Sequence, residues 1–225
     1  KHNYGVVSFN FSLNGGTVEQ PIDFPDLEAF SKNTYSQELE DLSVVVDFIE
    51  NELIKTFSFL KNKIYLIGHS RGGGIAILYA SKDKRVEKLI TLAAVNDFIK
   101  RLPDEEELKE WERVGVKYIL NGRTKQEMPI CYDFVKDLLT NSEALNIKLA
   151  EKQLTIPHLI LHGKKDDTVD CQEAIELNHL NFSSKLKLFE NANHTFGGFH
   201  PYTENILPPD TQDCLNEILL FLSDN

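Results

Sequence analysis

Residues 64–72, Ile-Tyr-Leu-Ile-Gly-His-Ser-Arg-Gly, decide the fold of this chain. A short apolar run, Ile64–Ile67, enters a Gly-x-Ser-x-Gly pentapeptide, and small and apolar residues follow it. This order predicts a strand, a tight turn with Ser70 at its tip, and a helix packed on a sheet. We expect glycine to be required at Gly68 and Gly72, because a side chain at either position would collide with neighbouring backbone.

The predicted turn suits a nucleophile. It raises the Ser70 hydroxyl above the sheet, and it puts the backbone N–H of Arg71 and the positive end of the following helix where an oxyanion forms. The alternative is an ordinary glycine-rich turn that cradles phosphate. The chain has neither the G-x-x-x-x-G-K-[ST] of a P-loop nor the G-x-G-x-x-G of a dinucleotide site, so the pattern favours a nucleophilic serine.

Strands and helices alternate along the rest of the chain. We expect further strands at Tyr4–Phe11, Lys88–Ala94, Pro157–Leu161 and Lys185–Phe189, and helices at Thr34–Leu60, Cys171–Leu180 and Gln212–Leu222. Such alternation predicts right-handed βαβ crossovers, and therefore an α/β fold whose mostly parallel sheet has helices on both faces. Residues 96–154 are too long for one crossover. We interpret them as a cap of two or three helices inserted into a single domain that spans residues 1–225.

A serine nucleophile needs a base, and the base needs a carboxylate that orients it. In this kind of sheet the partners follow the serine in the order carboxylate, then histidine, on loops after later strands. The strand that ends at Leu161 leads into a loop with Asp166 and Asp167, at the sheet edge that carries Ser70. We prefer Asp166 of the two. The alternative role for Asp166 is an acid at the N-terminus of the next helix, and Asp170 suits that role better.

The last predicted strand feeds a polar, glycine-rich loop that contains His194, which we interpret as the general base. The other histidines have simpler explanations. His158 begins a buried strand, His179 lies on a helix, His2 is terminal, His200 precedes Pro201, and His69 is expected to point away across the turn. His162 is expected to pack or to bond a loop.

A metal site of His162, Asp166 and His194 lacks an H-E-x-x-H or similar spacing, so neither a metal nor a cofactor is predicted.

Composition excludes several classes of partner. Lys and Arg number 24 against 35 Asp and Glu, and the net charge of −11 repels nucleic acid and anionic lipid. No run approaches the roughly 20 apolar residues of a membrane span. Cys131, Cys171 and Cys214 have no CxxC spacing and are interpreted as free thiols. These features favour a cytoplasmic protein, although a leader ahead of residue 1 would change that expectation.

Three segments of the chain resemble the signature segments of the α/β-hydrolase superfamily: Gly68–Gly72, His162–Asp166 and Asn193–Phe196. The resemblance extends over essentially the whole chain. It implies an α/β-hydrolase fold and a serine hydrolase with Ser70, Asp166 and His194 as its catalytic triad. The insertion and the His-Thr-Phe sequence are similar to dienelactone-hydrolase-like and cinnamoyl or feruloyl esterase-like members.

The resemblance also implies segments that this chain does not contain. In the family, Tyr4–Phe11 would correspond to the fourth strand, so three strands should precede it. In the sheet, the third of these strands would lie between Tyr4–Phe11 and Ile64–Ile67. The loop after it usually carries a His-Gly dipeptide that supplies the second oxyanion N–H. We therefore expect an upstream segment with an apolar strand and such a loop.

The expected reaction is hydrolysis of a small-molecule carboxylic ester through an acyl-enzyme. Candidates to line the substrate pocket are aromatic and apolar residues of the insertion, namely Trp111, Tyr118, Met128 and Tyr132. At helical spacing they also fit the core of the insertion itself. A thioesterase or a small peptidase would use the same triad, and a non-catalytic binding protein is the alternative from a different class. The sequence does not decide the oligomeric state.

Overall fold

The computed structural model describes residues 4–21, 23–57 and 63–223. His2 and the last residues of the helix expected at Thr34–Leu60 lie outside these ranges. The chain divides into two compact units, one formed by Lys1–Asn62 with Ile99–Leu145 and the other by Lys63–Phe98 with Asn146–Asn225. The second unit contains Ser70, Asp166 and His194.

The regular elements of both units are as follows. The strands are β1 (Ile64–His69), β2 (Val86–Leu92), β3 (Val116–Leu120), β4 (Glu127–Cys131), β5 (His158–Gly163) and β6 (Ser184–Phe189). The helices are α1 (Leu27–Ser31), α2 (Tyr35–Phe48), α3 (Ile54–Thr56), α4 (Arg71–Ala80), α5 (Glu105–Val114), α6 (Asp133–Thr140), α7 (Ile147–Gln153), α8 (Cys171–Leu180) and α9 (Pro209–Ser223). A π-helical segment, Ile49–Leu53, joins α2 to α3, and a 3-10 turn covers Ile99–Arg101.

The second unit is built on a four-stranded sheet in the order β1-β2-β5-β6, and every neighbouring pair is parallel. Its register aligns the carboxyl ends of the strands, with His69 of β1 opposite Leu92 of β2 and Gly163 of β5 opposite Phe189 of β6. Loops that leave these ends therefore start from one edge, where parallel sheets bind ligands. The predicted fold class and mostly parallel sheet are confirmed.

Helices cover both faces of this sheet. Successive side chains of a strand point to opposite faces, so Leu159 and Leu161 lie opposite His158. Leu159 and Leu161 belong to a buried cluster with Phe221 of α9. On the other face, His158 hydrogen-bonds to Glu151 of α7. Each face thus buries side chains under a different helix.

A buried polar network ties α7 to the sheet. Glu151 and His158 are both 0% exposed, and Glu151 Oε1 accepts hydrogen bonds from His158 Nδ1 at 2.9 Å and from Asn181 Nδ2 at 2.8 Å. His158 Nε2 lies 2.9 Å from the Thr91 hydroxyl on β2. Because His158 Nδ1 faces a carboxylate, which only accepts hydrogen bonds, Nδ1 carries the hydrogen of that contact. The contacts compensate part of the cost of burying these polar groups.

The first unit contains a β-hairpin that the sequence interpretation missed. Strands β3 and β4 pair antiparallel inside the segment expected to be purely helical. Helices α5 and α6 flank the hairpin. In the same unit Thr34 caps α2, with its hydroxyl oxygen accepting the Gln37 N–H at 3.2 Å. The Gln37 side chain donates to Asp41 instead of returning to the cap.

The expected strand at Tyr4–Phe11 is wrong, since these residues form neither a strand nor a helix. Val6 is 87% exposed and Val7 is 45% exposed, so their side chains are not packed as core strand residues would be. A strand needs a partner for its backbone groups, and β-propensity reflects that context as much as the residue type. The described residues include no strand that pairs with this segment. Its correspondence to the fourth strand of the family is therefore not observed.

The three cysteines are free thiols, as predicted. Cys214 on α9 is 2% exposed, and burial raises its pKa to about 12. Thiolate is the reactive form, so we expect a thiol reagent such as DTNB to modify Cys131 and Cys171 in the folded protein but not Cys214. Counting released thionitrobenzoate before and after denaturation, with mapping of the modified peptides, measures this. Rapid modification of native Cys214 would contradict it.

Among the described residues, no helix combines the length and the apolar character needed to cross a membrane.

Candidate active site

Ser70 stands between β1 and α4 in a backbone conformation that is rare for a residue with a side chain. Its φ is 54° and its ψ is −122°. Such a conformation costs on the order of 1–3 kcal/mol and persists only where the surroundings impose it. Here the Ser70 N–H donates to Leu92 O at 2.9 Å, and the Ser70 carbonyl accepts from the N–H groups of Gly73 at 3.0 Å and Val95 at 3.3 Å. The turn is therefore fixed by β2 and the loop that follows it.

The glycines around Ser70 are not equivalent. A Cβ on Gly68 would lie 2.4 Å from Gly72 O, and one on Gly73 would lie 2.5 Å from Ala94 Cβ. A Cβ on Gly72 would meet nothing within 4 Å. The prediction that Gly72 prevents a collision is wrong, because its Cα faces open space at the start of α4. Gly73 carries that role instead, since α4 approaches the loop after β2 at this residue.

The loop after β5 holds the Asp166 carboxylate in one orientation. Asp166 Oδ1 accepts the N–H groups of Thr168 and Val169, both at 2.9 Å, and Oδ2 faces His194 Nδ1 at 2.8 Å. Burial alone would raise the pKa of Asp166, but the hydrogen bonds from Val169, His194 and Thr168 outweigh it and lower the pKa. The carboxylate therefore stays ionised beside the imidazole.

The neighbouring carboxylates are oriented differently. Asp167 is exposed, and its Oδ1 lies 3.3 Å from the Thr168 hydroxyl. Asp170 caps α8 by accepting the Gln172 N–H at 2.9 Å, as the sequence predicted. The structure thus brings Asp166, and not Asp167, against His194.

His194 lies in a loop that is anchored on both sides. Before it, Ala192 is buried, and its carbonyl accepts the Lys165 N–H at 3.1 Å. After it, the Gly197 N–H donates back to Asn193 Oδ1 at 2.9 Å, and Phe196 is buried in the core. The imidazole is therefore carried by a short ordered span between two buried residues.

Two further histidines surround this pair. His162 is buried as expected, with Nε2 2.9 Å from Val169 O and 3.2 Å from Asp166 Oδ2. His69 does not point away from the site as expected. Its Nε2 lies 2.8 Å from His194 O, and the two rings are 4.7 Å apart between centroids. Since Ser70 follows His69 directly, the serine turn and the His194 loop meet.

Sequence reasoning missed the contributions of His69 and Gly73. The run Gly72–Gly74 was a usable signal for the second, because consecutive glycines are costly in a helix and indicate close packing. No comparable signal existed for His69, whose partner is 125 residues away in the chain.

The four predicted pocket residues belong to the first unit. Trp111 and Met128 are buried there, and the Trp111 indole N–H donates to Ile130 O at 2.9 Å. Tyr132 is half-buried, with its ring 6.2 Å from that of Trp111, and Tyr118 is 58% exposed on β3. Trp111 and Met128 therefore contribute to the core of the insertion, whereas Tyr118 and Tyr132 keep accessible surface.

Within residues 4–21, 23–57 and 63–223, no group of three or more His, Cys, Asp or Glu side chains is arranged to hold a metal ion.

Comparisons with solved structures identify the fold. A protein of Agrobacterium vitis S4 with a hydrolase designation aligns with a TM-score of 0.66 at 21% identity, over 87% of this chain and 71% of that one. Est1E from Butyrivibrio proteoclasticus aligns with a TM-score of 0.61 at 17% identity, over 84% and 70%. A monoacylglycerol lipase from Paleococcus ferrophilus aligns with a TM-score of 0.59 at 13% identity, over 85% and 77%.

A family model covers most of the chain. The BD-FAE model matches residues 24–180, which include Ser70 and Asp166. No curated protein matches the sequence at a significant level. The predicted resemblance to α/β-hydrolases is confirmed by the family match and the structural neighbours. The chain belongs to the BD-FAE family, and it is an α/β-hydrolase.

Proposed function

We propose that the chain hydrolyses small carboxylic esters through a Ser70–His194–Asp166 triad and an acyl-enzyme. The observation that carries the proposal is the 2.8 Å contact between His194 Nδ1 and Asp166 Oδ2, on loops at the sheet edge that bears Ser70. A carboxylate in this position fixes one imidazole tautomer, with hydrogen on Nδ1 and a lone pair on Nε2. That lone pair is what a serine hydroxyl needs to lose its proton.

In the first step, Ser70 Oγ attacks the ester carbonyl carbon while its proton passes to His194 Nε2. The carbonyl oxygen becomes an oxyanion, and Asp166 stabilises the imidazolium through the Nδ1–H bond. The tetrahedral intermediate then expels the alcohol, which takes the proton from Nε2. The products of this step are the free alcohol and an acyl ester on Ser70.

The second step repeats the same proton movements with water. His194 Nε2 removes a proton from a water molecule as the water oxygen attacks the acyl carbon. The proton then passes from Nε2 to Ser70 Oγ as the carboxylic acid leaves. In both steps the backbone N–H of Arg71 at the start of α4 stabilises the oxyanion, assisted by the helix dipole. One such donor typically contributes about 3 kcal/mol to the barrier reduction.

The structural neighbours are the reason to propose esters, and not thioesters or amides, as the substrates. Est1E has been solved with ferulic acid bound, and that structure aligns with a TM-score of 0.59 at 20% identity, over 86% of this chain and 70% of that one. Another neighbour is named a monoacylglycerol lipase. We therefore propose a small aliphatic or hydroxycinnamoyl ester as the substrate.

Replacing Ser70 with alanine tests the proposal. The S70A variant is expected to lose about 10⁶-fold in kcat on p-nitrophenyl esters, because no other hydroxyl takes over the attack. It should also fail to form a fluorophosphonate adduct, whereas the wild-type protein should carry the adduct on Ser70. The matched control is Ser81→Ala at the other end of α4, where the hydroxyl donates to Leu78 O. That variant should label and turn over like the wild type.

A substrate panel then separates the alternatives. It comprises p-nitrophenyl esters of graded acyl length, methyl ferulate, an acyl thioester and a peptide amide. Fastest turnover of the oxygen esters supports the proposal, and preference for the thioester or the peptide replaces it with a thioesterase or peptidase. A wild-type protein without adduct or turnover would favour a binding protein on a hydrolase scaffold.

A further inference from the structure

His69 occupies the first variable position of the Gly-x-Ser-x-Gly turn and reaches the loop of the proposed base. Its Nε2 lies 2.8 Å from the backbone carbonyl oxygen of His194. The two imidazole rings lie 4.7 Å apart at an interplanar angle of 51°. One residue of the serine turn therefore contacts both the backbone and the ring of His194.

The chemistry of this contact defines the state of His69. A carbonyl oxygen only accepts hydrogen bonds, so His69 Nε2 carries the hydrogen and donates it. Desolvation lowers the pKa of His69, the hydrogen bond to the His194 carbonyl opposes this lowering, and the His194 ring adds to it. Asp166 and His162 also act on the ring, in opposite directions. His69 is therefore neutral near pH 7, and no positive charge on it opposes the imidazolium that forms on His194.

The hydrogen bond from His69 holds the His194 carbonyl, which the other hydrogen bonds of this loop do not contact. Asn193 orders the backbone of Thr195 and Gly197, and the Lys165 N–H holds the Ala192 carbonyl. The carbonyl of His194 itself is bonded by His69. This bond connects the loop after β6 to the end of β1, the strand that Ser70 directly follows.

We propose that His69 is a positioning residue, which donates its Nε2–H to the His194 carbonyl and so holds the base against the serine turn. The proposal rests on the proposed function, since it assigns a role in placing His194 relative to Ser70. His69 transfers no proton to substrate. It determines how often the imidazole lies within hydrogen-bond distance of the serine hydroxyl.

Three variants of His69 separate the effect of its hydrogen-bond donor from the effect of its ring. In His69→Gln the amide nitrogen occupies nearly the position of Nε2, so the donor is kept. In His69→Asn the amide is too short to reach the carbonyl, and in His69→Phe the ring is kept without a donor. Because a misplacement of about 1 Å can cost on the order of 100-fold in rate, we expect kcat of the Phe and Asn variants to fall about 100-fold. KM should change little, and the Gln variant should recover most of kcat.

The controls are the same substitutions at His179, an exposed histidine in the last turn of α8. His179→Gln and His179→Phe should leave kcat unchanged. Thermal unfolding of every variant checks the fold, and the rate of fluorophosphonate labelling at Ser70 should follow kcat. If the Phe variant does not fold, the comparison of Gln with Asn still tests the donor.

Three results would overturn the proposal. Wild-type kcat and labelling in the Phe and Asn variants would mean that the contact is not used. A Gln variant as slow as the Asn variant would mean that the ring, and not its hydrogen bond, matters. A loss that appears in KM alone would assign His69 to substrate binding. Failure of the proposed function is a different result, namely a wild-type protein that fails to label at Ser70.

Discussion

The Asp166→Asn variant is expected to fold normally and to lose about 10⁴-fold in kcat toward its ester substrate. The asparagine Oδ1 can still accept the N–H groups of Thr168 and Val169, so the loop keeps its shape. Its amide nitrogen, however, would face His194 Nδ1 and donate to it. That contact favours the tautomer with hydrogen on Nε2, which cannot take the proton of Ser70.

Asp167→Asn is the matched control, because Asp167 is the adjacent carboxylate and is exposed. It should retain wild-type kcat and the same rate of fluorophosphonate labelling. Circular dichroism and thermal unfolding of both variants separate an effect on chemistry from one on folding. Equal losses in the two variants, or a larger loss for Asp167→Asn, would reject the assignment of Asp166.

The second large effect is expected on stability, from replacing Gly68 with alanine. The added Cβ would lie 2.4 Å from Gly72 O and 2.7 Å from Gly73 Cα, and both of these atoms are backbone. Neither can move without shifting the start of α4. Overpacking of this kind costs typically 1–3 kcal/mol and occasionally more, and we expect at least about 3 kcal/mol here. The midpoint of urea unfolding should fall accordingly.

Gly72→Ala provides the comparison within the same pentapeptide. Its Cβ meets nothing within 4 Å, and alanine is favoured over glycine in a helix by up to about 1 kcal/mol. The free energy of unfolding should therefore be unchanged or slightly higher. A Gly72→Ala variant as unstable as Gly68→Ala would contradict the geometry of the turn.

Much of the second unit could be predicted because its signals are local. Helix α8 begins and ends where the sequence indicated, since Asp170 caps it and a turn follows it. The strand β5 was predicted to within two residues from its apolar run. Asp166 and His194 could be selected because both follow strands of a parallel sheet, which brings their loops to one edge.

Other features depended on partners that local patterns do not reveal. Tyr4–Phe11 has β-forming residues but pairs with no strand among the described residues. The orientation of His69 depends on a loop 125 residues away. The hairpin of β3 and β4 is a different case, because Asn121-Gly122 between two β-rich segments was a recognisable turn signal.

The division of the chain into two units has a consequence for how proteins of this kind diversify. Ser70, Asp166, His194 and the hydrogen bonds that order them all belong to Lys63–Phe98 and Asn146–Asn225, whereas Ile99–Leu145 belongs to the other unit. Substitutions, insertions or wholesale exchange within Ile99–Leu145 therefore alter none of those bonds directly. The bonding around these three residues can be inherited unchanged while Ile99–Leu145 diverges in sequence and length.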